Sequence, residues 1–129
     1  MEAIPQRRGK ADSMPTDSIE IMEERRDQAV VLRPSGRIDN DTSTSFQTRL
    51  LATIGAVPIT VVVDLGGVDY ISSAGLRALM MGAKQSKGAN GRLAVAGLQP
   101  LVKEIFAISR FNHVVRVFET PADALAAFV

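Results

Sequence analysis

The run Ile59-Thr60-Val61-Val62-Val63 is rich in β-branched residues and apolar on both faces of any strand it forms. Such a strand has no side to give to water, so its sheet must be covered by helices above and below. Pro58 leads into the run and Asp64 ends it. The rest of the chain supplies the covering layers. Thr42, Phe46, Leu50 and Ile54 recur at i, i+4 on one helical face. Asp41 or Thr42 is placed to accept hydrogen bonds from the first turn, and Gly55 to stop the helix. Leu76, Leu79, Met80 and Ala83 mark the buried face of a second helix. Lys84 and Lys87 offset the dipole at its end, and Gly88 is a suitable C′ residue. Pro100 opens a third helix. Thr120-Pro121 opens a fourth, with Asp123 completing an N-terminal cap pattern.

Strand signals fill the gaps. Ile19–Glu24 and Ala29–Leu32 read as a hairpin around polar Arg25–Gln28, and Pro34 and Gly36 end or bulge its second strand. Arg92–Ala96 and Val114–Phe118 are further strands, and Leu65–Ile71 reads as a loop with adjacent glycines. The order β-β-α-β-α-β-α-β-α predicts an α/β fold. Its sheet is mostly parallel, four- to five-stranded, with an N-terminal antiparallel hairpin and about four helices.

A length of 129 residues suffices for one core. We read residues 18–129 as that domain and 1–17 as a disordered arm. The arm carries Pro5, Pro15 and a small basic cluster of Arg7, Arg8 and Lys10. No apolar run approaches the ~18–20 residues that span a bilayer, and the N-terminus lacks a signal-peptide stretch. The expected compartment is the cytoplasm, without membrane insertion. A formal charge of +1 and the absence of Trp argue against direct nucleic-acid binding.

The chain has no Cys and a single His. This removes thiolate chemistry and any cysteine- or histidine-based metal centre, so no metal is expected. There is no phosphate loop, no G-x-G-x-x-G after a strand and no G-x-S-x-G elbow, and no cofactor is expected. A triad can be drawn from Ser73, His113 and Asp64 or Asp69, but any chain with one His permits such a drawing. His113 reads as a polar loop residue. Asp39 and Asp41 lack the partners a cation needs, and capping is the better reading of Asp41.

The distinctive stretch is Val61-Val62-Val63-Asp64-Leu65-Gly66-Gly67-Val68-Asp69-Tyr70-Ile71-Ser72-Ser73-Ala74-Gly75-Leu76-Arg77. A buried strand ends at Asp64, and a tight loop delivers two serines to a helix start. One serine suffices to cap the helix. The other is left over, at a helix end that tolerates added negative charge, which is a sound place for phosphorylation.

This stretch resembles the signature of STAS domains of the bacterial anti-sigma factor antagonist type. Their valine-rich strand ends in Asp-Leu, and a loop with Val-x-Phe/Tyr-Ile/Met leads to Asp-Ser-Ser-Gly-Leu. Gly36-Arg37-Ile38-Asp39 is similar to the family's Gly-x-Leu/Ile-Asp. Leu98, Pro100 and Ala124-Leu125 match weaker family positions. The resemblance covers roughly Ser18 to Val129.

The resemblance implies a regulatory binding protein without catalysis of its own. Its partners would be an anti-sigma factor of the GHKL serine kinase type and a PP2C-type phosphatase. Docking on the kinase frees a sigma factor, and serine phosphorylation breaks the dock. Counting back from Gly75, the family's phosphorylated serine falls on Ser73. Ser72 stands where many members carry Asp, and it is the second candidate acceptor. The implied partner-binding residues are Asp39, Ser72, Ser73, Gly75 and Arg77. The Gly36–Asp39 turn and the Ser73 helix start are expected to share one end of the sheet. The alternative is a STAS scaffold, or an accessory subunit of a membrane transporter, that is never phosphorylated.

Overall fold

In the computed structural model, which describes residues 19–128, β1 (Glu20–Arg26) and β2 (Ala29–Ile38) form the antiparallel hairpin. The arm expected over 1–17 lies outside the described residues. The turn shrinks to Asp27 and Gln28, so Arg25 and Arg26 belong to the strand. Alternation explains this. Arg25 and Arg26 point to opposite faces at a sheet edge, where long charged side chains reach water.

Six strands form the sheet. After β2 come α1 (Ser43–Ile54), β3 (Thr60–Asp64), β4 (Val68–Ile71) and α2 (Ser73–Gly88). Then follow β5 (Arg92–Ala96), α3 (Pro100–Ile108), β6 (Arg116–Phe118) and α4 (Pro121–Ala127). The spatial order is β1-β2-β3-β5-β6, parallel except for β1. The apolar run of β3 lies in the middle of that order, as its two-sided apolar character requires.

The loop expected over 65–71 is corrected in part, because its second half is strand β4. β4 pairs in parallel with the far end of β2, beyond the point where β3 stops. Pro34 therefore does not end β2. The irregularity falls two residues later, with a register shift between Gly36 and Arg37. Gly36 has φ of 105°, a conformation that an L side chain resists, and its amide donates to Gly67 O at 2.8 Å.

Each sheet face builds its own core. Val30, Leu32, Val61, Val63, Leu93 and Val95 pack with Phe46, Leu50 and Ile54 of α1, Leu79 of α2, and Val102 and Phe106 of α3. The alternate residues Val31, Val62, Ala94 and Ala96 lie under α4, where Ala124 is buried and Leu125 and Phe128 are half-buried. The small residues of β5 on this face let the short helix approach closely. Toward β1 the same face carries an ion-pair chain instead of a helix. Arg33 bonds Glu24 at 2.9 Å and Asp64 at 3.3 Å.

Two element ends differ from expectation. α2 includes Gly88, and the left-handed residue is Asn90 (φ 63°), another residue that tolerates this conformation. The buried face of α2 is Gly75, Ala78, Leu79, Gly82 and Ser86, with Leu76, Met80 and Ala83 half-buried at its flanks. β6 starts at Arg116 rather than Val114, because Phe111–His113 form a 3-10 turn. Burial of Phe111 edge-on to Phe106, 5.3 Å between ring centres, sets that turn. The cap of α4 is as expected, with Thr120 Oγ1 accepting from the Asp123 amide at 3.0 Å. No helix among the described residues is long and apolar enough to cross a membrane.

Candidate functional site

The ends of β2 and β4 meet before their helices begin. Arg37 is opposite Tyr70 and Ile38 opposite Ile71. One residue further, the Ser72 amide donates to Ile38 O at 2.8 Å. Asp39 and Ser72 therefore leave the sheet side by side, and the two expected segments share one end of it.

The two serines have different positions. Ser72 is the N-cap of α2, in extended conformation, and its Oγ accepts from the Gly75 amide at 3.2 Å. Ser73 is the first helical residue and is exposed. Among the described residues no hydrogen bond engages its Oγ, because the cap is already made by Ser72. Arg77, one turn on, is exposed and forms no ion pair among the described residues. The helix dipole gives this end of α2 a partial positive charge, and no acidic residue occupies its first turn.

Gly75 is buried, so it is not a surface contact. A Cβ there would lie 2.7 Å from both Ile38 Cγ2 and Ile71 Cγ1. What approaches this position closely is the ends of β2 and β4. This corrects the expectation of a direct partner-binding role: Gly75 lets α2 start close against the sheet, and thereby sets where Ser73 stands.

Asp39 does the capping expected of Asp41 or Thr42. Its Oδ1 accepts from the Asp41 amide at 2.9 Å and the Thr42 amide at 3.1 Å. Thr42 is the formal N-cap of α1, yet its hydroxyl faces backward. It donates to Arg37 O at 2.7 Å and accepts from the Asp39 amide at 2.9 Å. Desolvation pushes the Asp39 carboxyl up, but the Thr42 and Asp41 amides, the Thr42 hydroxyl and Arg37 together hold it below the usual carboxylate range.

Two residues that the sequence reading left without a role complete the surface. The Arg37 guanidinium lies 4.4 Å from the centre of the Tyr70 ring and 3.6 Å from Asp39 Oδ2. Register is what brings them together, and it was hidden as long as 65–71 read as loop. The triad drawing finds no support. Asp64 is engaged by Arg33 and by the Gly66 amide, and His113 is an exposed residue of the 3-10 turn. No group of three His, Cys, Asp or Glu side chains able to hold a metal occurs among the described residues.

Comparison with known proteins gives the family and the fold. The family model described as "Mlab, STAS domain" matches residues 21–117. A Bordetella bronchiseptica protein, BtrV, assigned by name to the anti-sigma factor antagonists, is 38% identical over 93 residues, 72% of this chain and 80% of that protein. The crystal structure of an anti-sigma factor antagonist from Mycobacterium paratuberculosis superposes with a TM-score of 0.77 at 26% identity, over 87% of this chain and 95% of that one. The anti-sigma factor antagonist SpoIIAA, solved in its unphosphorylated form, shares the fold with a TM-score of 0.71 at 19% identity, over 84% of this chain and 96% of that one. With the family model covering most of the chain, and a 38% identical anti-sigma factor antagonist matched over 80% of its length, this protein belongs to the STAS domain family of anti-sigma factor antagonists.

Proposed function

We propose that this protein works by partner switching, with Ser73 as the switch. In the unphosphorylated state the face formed by Asp39, Ser72, Ser73 and Arg77 docks on an anti-sigma factor of the GHKL serine kinase type, and the sigma factor is released. The kinase then moves the γ-phosphoryl group of ATP onto Ser73 Oγ. ADP leaves, and the hydroxyl proton is lost to solvent. A PP2C-type phosphatase hydrolyses the phosphoester and restores the dock. This chain is the substrate of that chemistry and performs none of it.

The observation that carries the reading is the division of labour between the two serines. Ser72 Oγ is held by the cap, whereas Ser73 Oγ is exposed and unbonded among the described residues. The magnitudes agree. A phosphate adds about −1.5 to −2 charge. The helix end returns only about 0.3–1 kcal/mol of that cost. Burying an unpaired dianion under a partner costs several kcal/mol, while moving a complex from 99% to 1% bound needs about 5.5 kcal/mol. Desolvation is large enough to release the partner without any change of fold.

The test is incubation with the cognate kinase and ATP, followed by mass-spectrometric site mapping. Phosphate on Ser73 supports the reading. Phosphate on Ser72 moves the site by one residue. An unmodified protein whose Ser73→Asp variant binds the anti-sigma factor undiminished would return the scaffold or transporter-accessory alternative.

A further inference from the structure

We propose that Arg37 is the receptor for the phosphate on Ser73, and that it leaves Asp39 to take up this role. The inference rests on Ser73 as the modified residue and adds a consequence for the docking face. Arg37 occupies the variable position of Gly36-Arg37-Ile38-Asp39. Its backbone is fixed by pairing with Tyr70 and by the hydrogen bond from the Thr42 hydroxyl to its carbonyl. Its side chain, in contrast, is 59% exposed. The guanidinium carbon lies 4.4 Å from the centre of the Tyr70 ring, and the guanidinium's contact with Asp39 is a long 3.6 Å. Asp39 keeps its capping role without it, since the Asp41 and Thr42 amides hold Oδ1 while Arg37 faces only the other oxygen, Oδ2, at that long range. The cation is thus held near the site and weakly committed.

Alternation turns the Arg37 side chain to the face opposite Ile38, so its path to Ser73 runs around the adjoining ends of β2 and β4. Tyr70 is the register partner of Arg37, and Ser73 is three residues past Tyr70. Strand spacing of ~4.8 Å and a rise of ~3.3 Å per residue put the two Cα atoms at most roughly 11 Å apart. An arginine and a phosphoserine side chain together bridge that distance. A guanidinium prefers a dianionic phosphate to one carboxylate oxygen at long range, because the phosphate accepts two parallel charge-assisted hydrogen bonds. Pivoting about the Tyr70 ring keeps the cation–aromatic contact through the move.

Phosphorylation then changes the docking face at two places. Ser73 gains negative charge, and Asp39 loses the cation beside it. The other charged groups on the adjoining segments are Asp41 at the start of α1, Asp69 on β4 and Arg77 on α2. Of these only Arg77 competes for the phosphate, as an i+4 neighbour on the same helix.

Genetically encoded phosphoserine at position 73 tests the inference whether or not a kinase is in hand, so its outcome is independent of kinase-dependent switching. The readout is the second pKa of the phosphate, followed by 31P NMR in the wild-type background and in Arg37→Gln, Arg37→Lys and Arg77→Gln. Phosphoserine has a second pKa near 6. We expect this pKa to lie about 0.5 higher in Arg37→Gln, to fall between the two in Arg37→Lys, which keeps the charge but not the bidentate fork, and to change less in Arg77→Gln. We also expect the Tyr70 ring resonances to shift on phosphorylation only when Arg37 is present. Equal pKa values in wild type and Arg37→Gln, or a larger change in Arg77→Gln, would overturn it. Failure of kinase labelling with an intact Arg37 effect would sink partner switching and leave the phosphate receptor standing.

Discussion

The backbone of Ser72 donates to the backbone of Ile38 at 2.8 Å, and this bond joins two segments 34 positions apart at the point where both leave the sheet. Asp39 and Ser73 are the residues that follow its two partners. The candidate docking face is therefore hung on main-chain pairing rather than on flexible side chains. Substitutions of its exposed Ser73 and Arg77 can be read as changes of surface chemistry, whereas Asp39 and Ser72 also cap helices.

The adjacent serines separate stability from modification. Ser72→Ala removes the acceptor of the Gly75 amide and should cost about 1 kcal/mol, the usual worth of an N-cap. Ser73→Ala removes an exposed hydroxyl without a partner among the described residues and should stay within about 0.5 kcal/mol of wild type. Urea unfolding of both variants checks this. A larger loss in Ser73→Ala would show that the cap has been assigned to the wrong serine.

Gly75→Ala sets two effects against each other. Alanine gains up to about 1 kcal/mol of helix propensity. Its Cβ would meet Ile38 and Ile71 at 2.7 Å, and both side chains are fully buried with no room to retreat. Overpacking of this kind costs about 1–3 kcal/mol, so the net result should be destabilisation by roughly 1–2 kcal/mol. A variant as stable as wild type would mean that the start of α2 can lift off the sheet freely.

Gln85 ties α1 to α2. Its side-chain amide donates to Leu51 O at 2.9 Å and Gly55 O at 2.8 Å, closing the last turn of α1. Gln85→Leu keeps the bulk and strands both carbonyls in part. A loss of about 1–2 kcal/mol is expected, with hydrogen exchange fastest at the end of α1. Uniform exchange along α1 would show that solvent replaces the side chain without cost.

Much of this architecture was legible in the sequence because it depends on long periodic signals. The two-sided Val61–Val63 run, the i, i+4 face from Thr42 to Ile54 and the Thr120–Asp123 cap all appear where expected. The misreadings have local causes. β4 has strand-forming residues in Val68, Tyr70 and Ile71, but it is only four residues long and follows two glycines, so the turn signal masks it until pairing with β2 is seen. Asp39 displaced Asp41 as the capping carboxylate because β2 runs to Ile38 and sets the direction in which the chain enters α1. At the site, the serine pair and Asp39 were visible as types in a pattern. The stacking of Arg37 on Tyr70 was not, since it depends on a strand register that no single segment encodes.

Asp39→Asn should reveal its effect through pH. The folded-state pKa of Asp39 is depressed, so its charge contributes stability above the unfolded value of about 3.9, and that contribution is lost as pH falls through the lower folded value. Wild type should therefore melt higher than Asp39→Asn at neutral pH, with the gap closing below about pH 4. Glu23 and Glu24 are also depressed, Glu23 chiefly by Arg49 and Glu24 chiefly by Arg33, but they are common to both proteins and cancel in the difference. Melting curves from pH 7 to pH 3 measure it. A gap that stays constant over that range would assign the effect to hydrogen-bond geometry rather than charge.

Binding to the anti-sigma partner gives the final prediction, through Arg77 and Ser73 together. Arg77 is exposed, one turn beyond Ser73, and off the buried Gly75, Ala78, Leu79 and Gly82 face. Arg77→Glu places a carboxylate in the second turn of α2, where it disturbs no packing, and its melting temperature should stay within a few degrees of wild type. If the face docks as proposed, affinity should fall about tenfold, which is ~1.4 kcal/mol. Ser73→Asp adds one charge where phosphate adds nearly two, and the carboxylate is favourable at the helix start. It should therefore weaken binding by less than full phosphorylation while holding or slightly raising the melting temperature. Because the two side chains lie on one helix turn, the double variant should show coupling, with losses that do not add. Strictly additive losses would place Arg77 outside the interface that Ser73 controls. Parallel losses of binding and melting temperature in Arg77→Glu would make that residue structural.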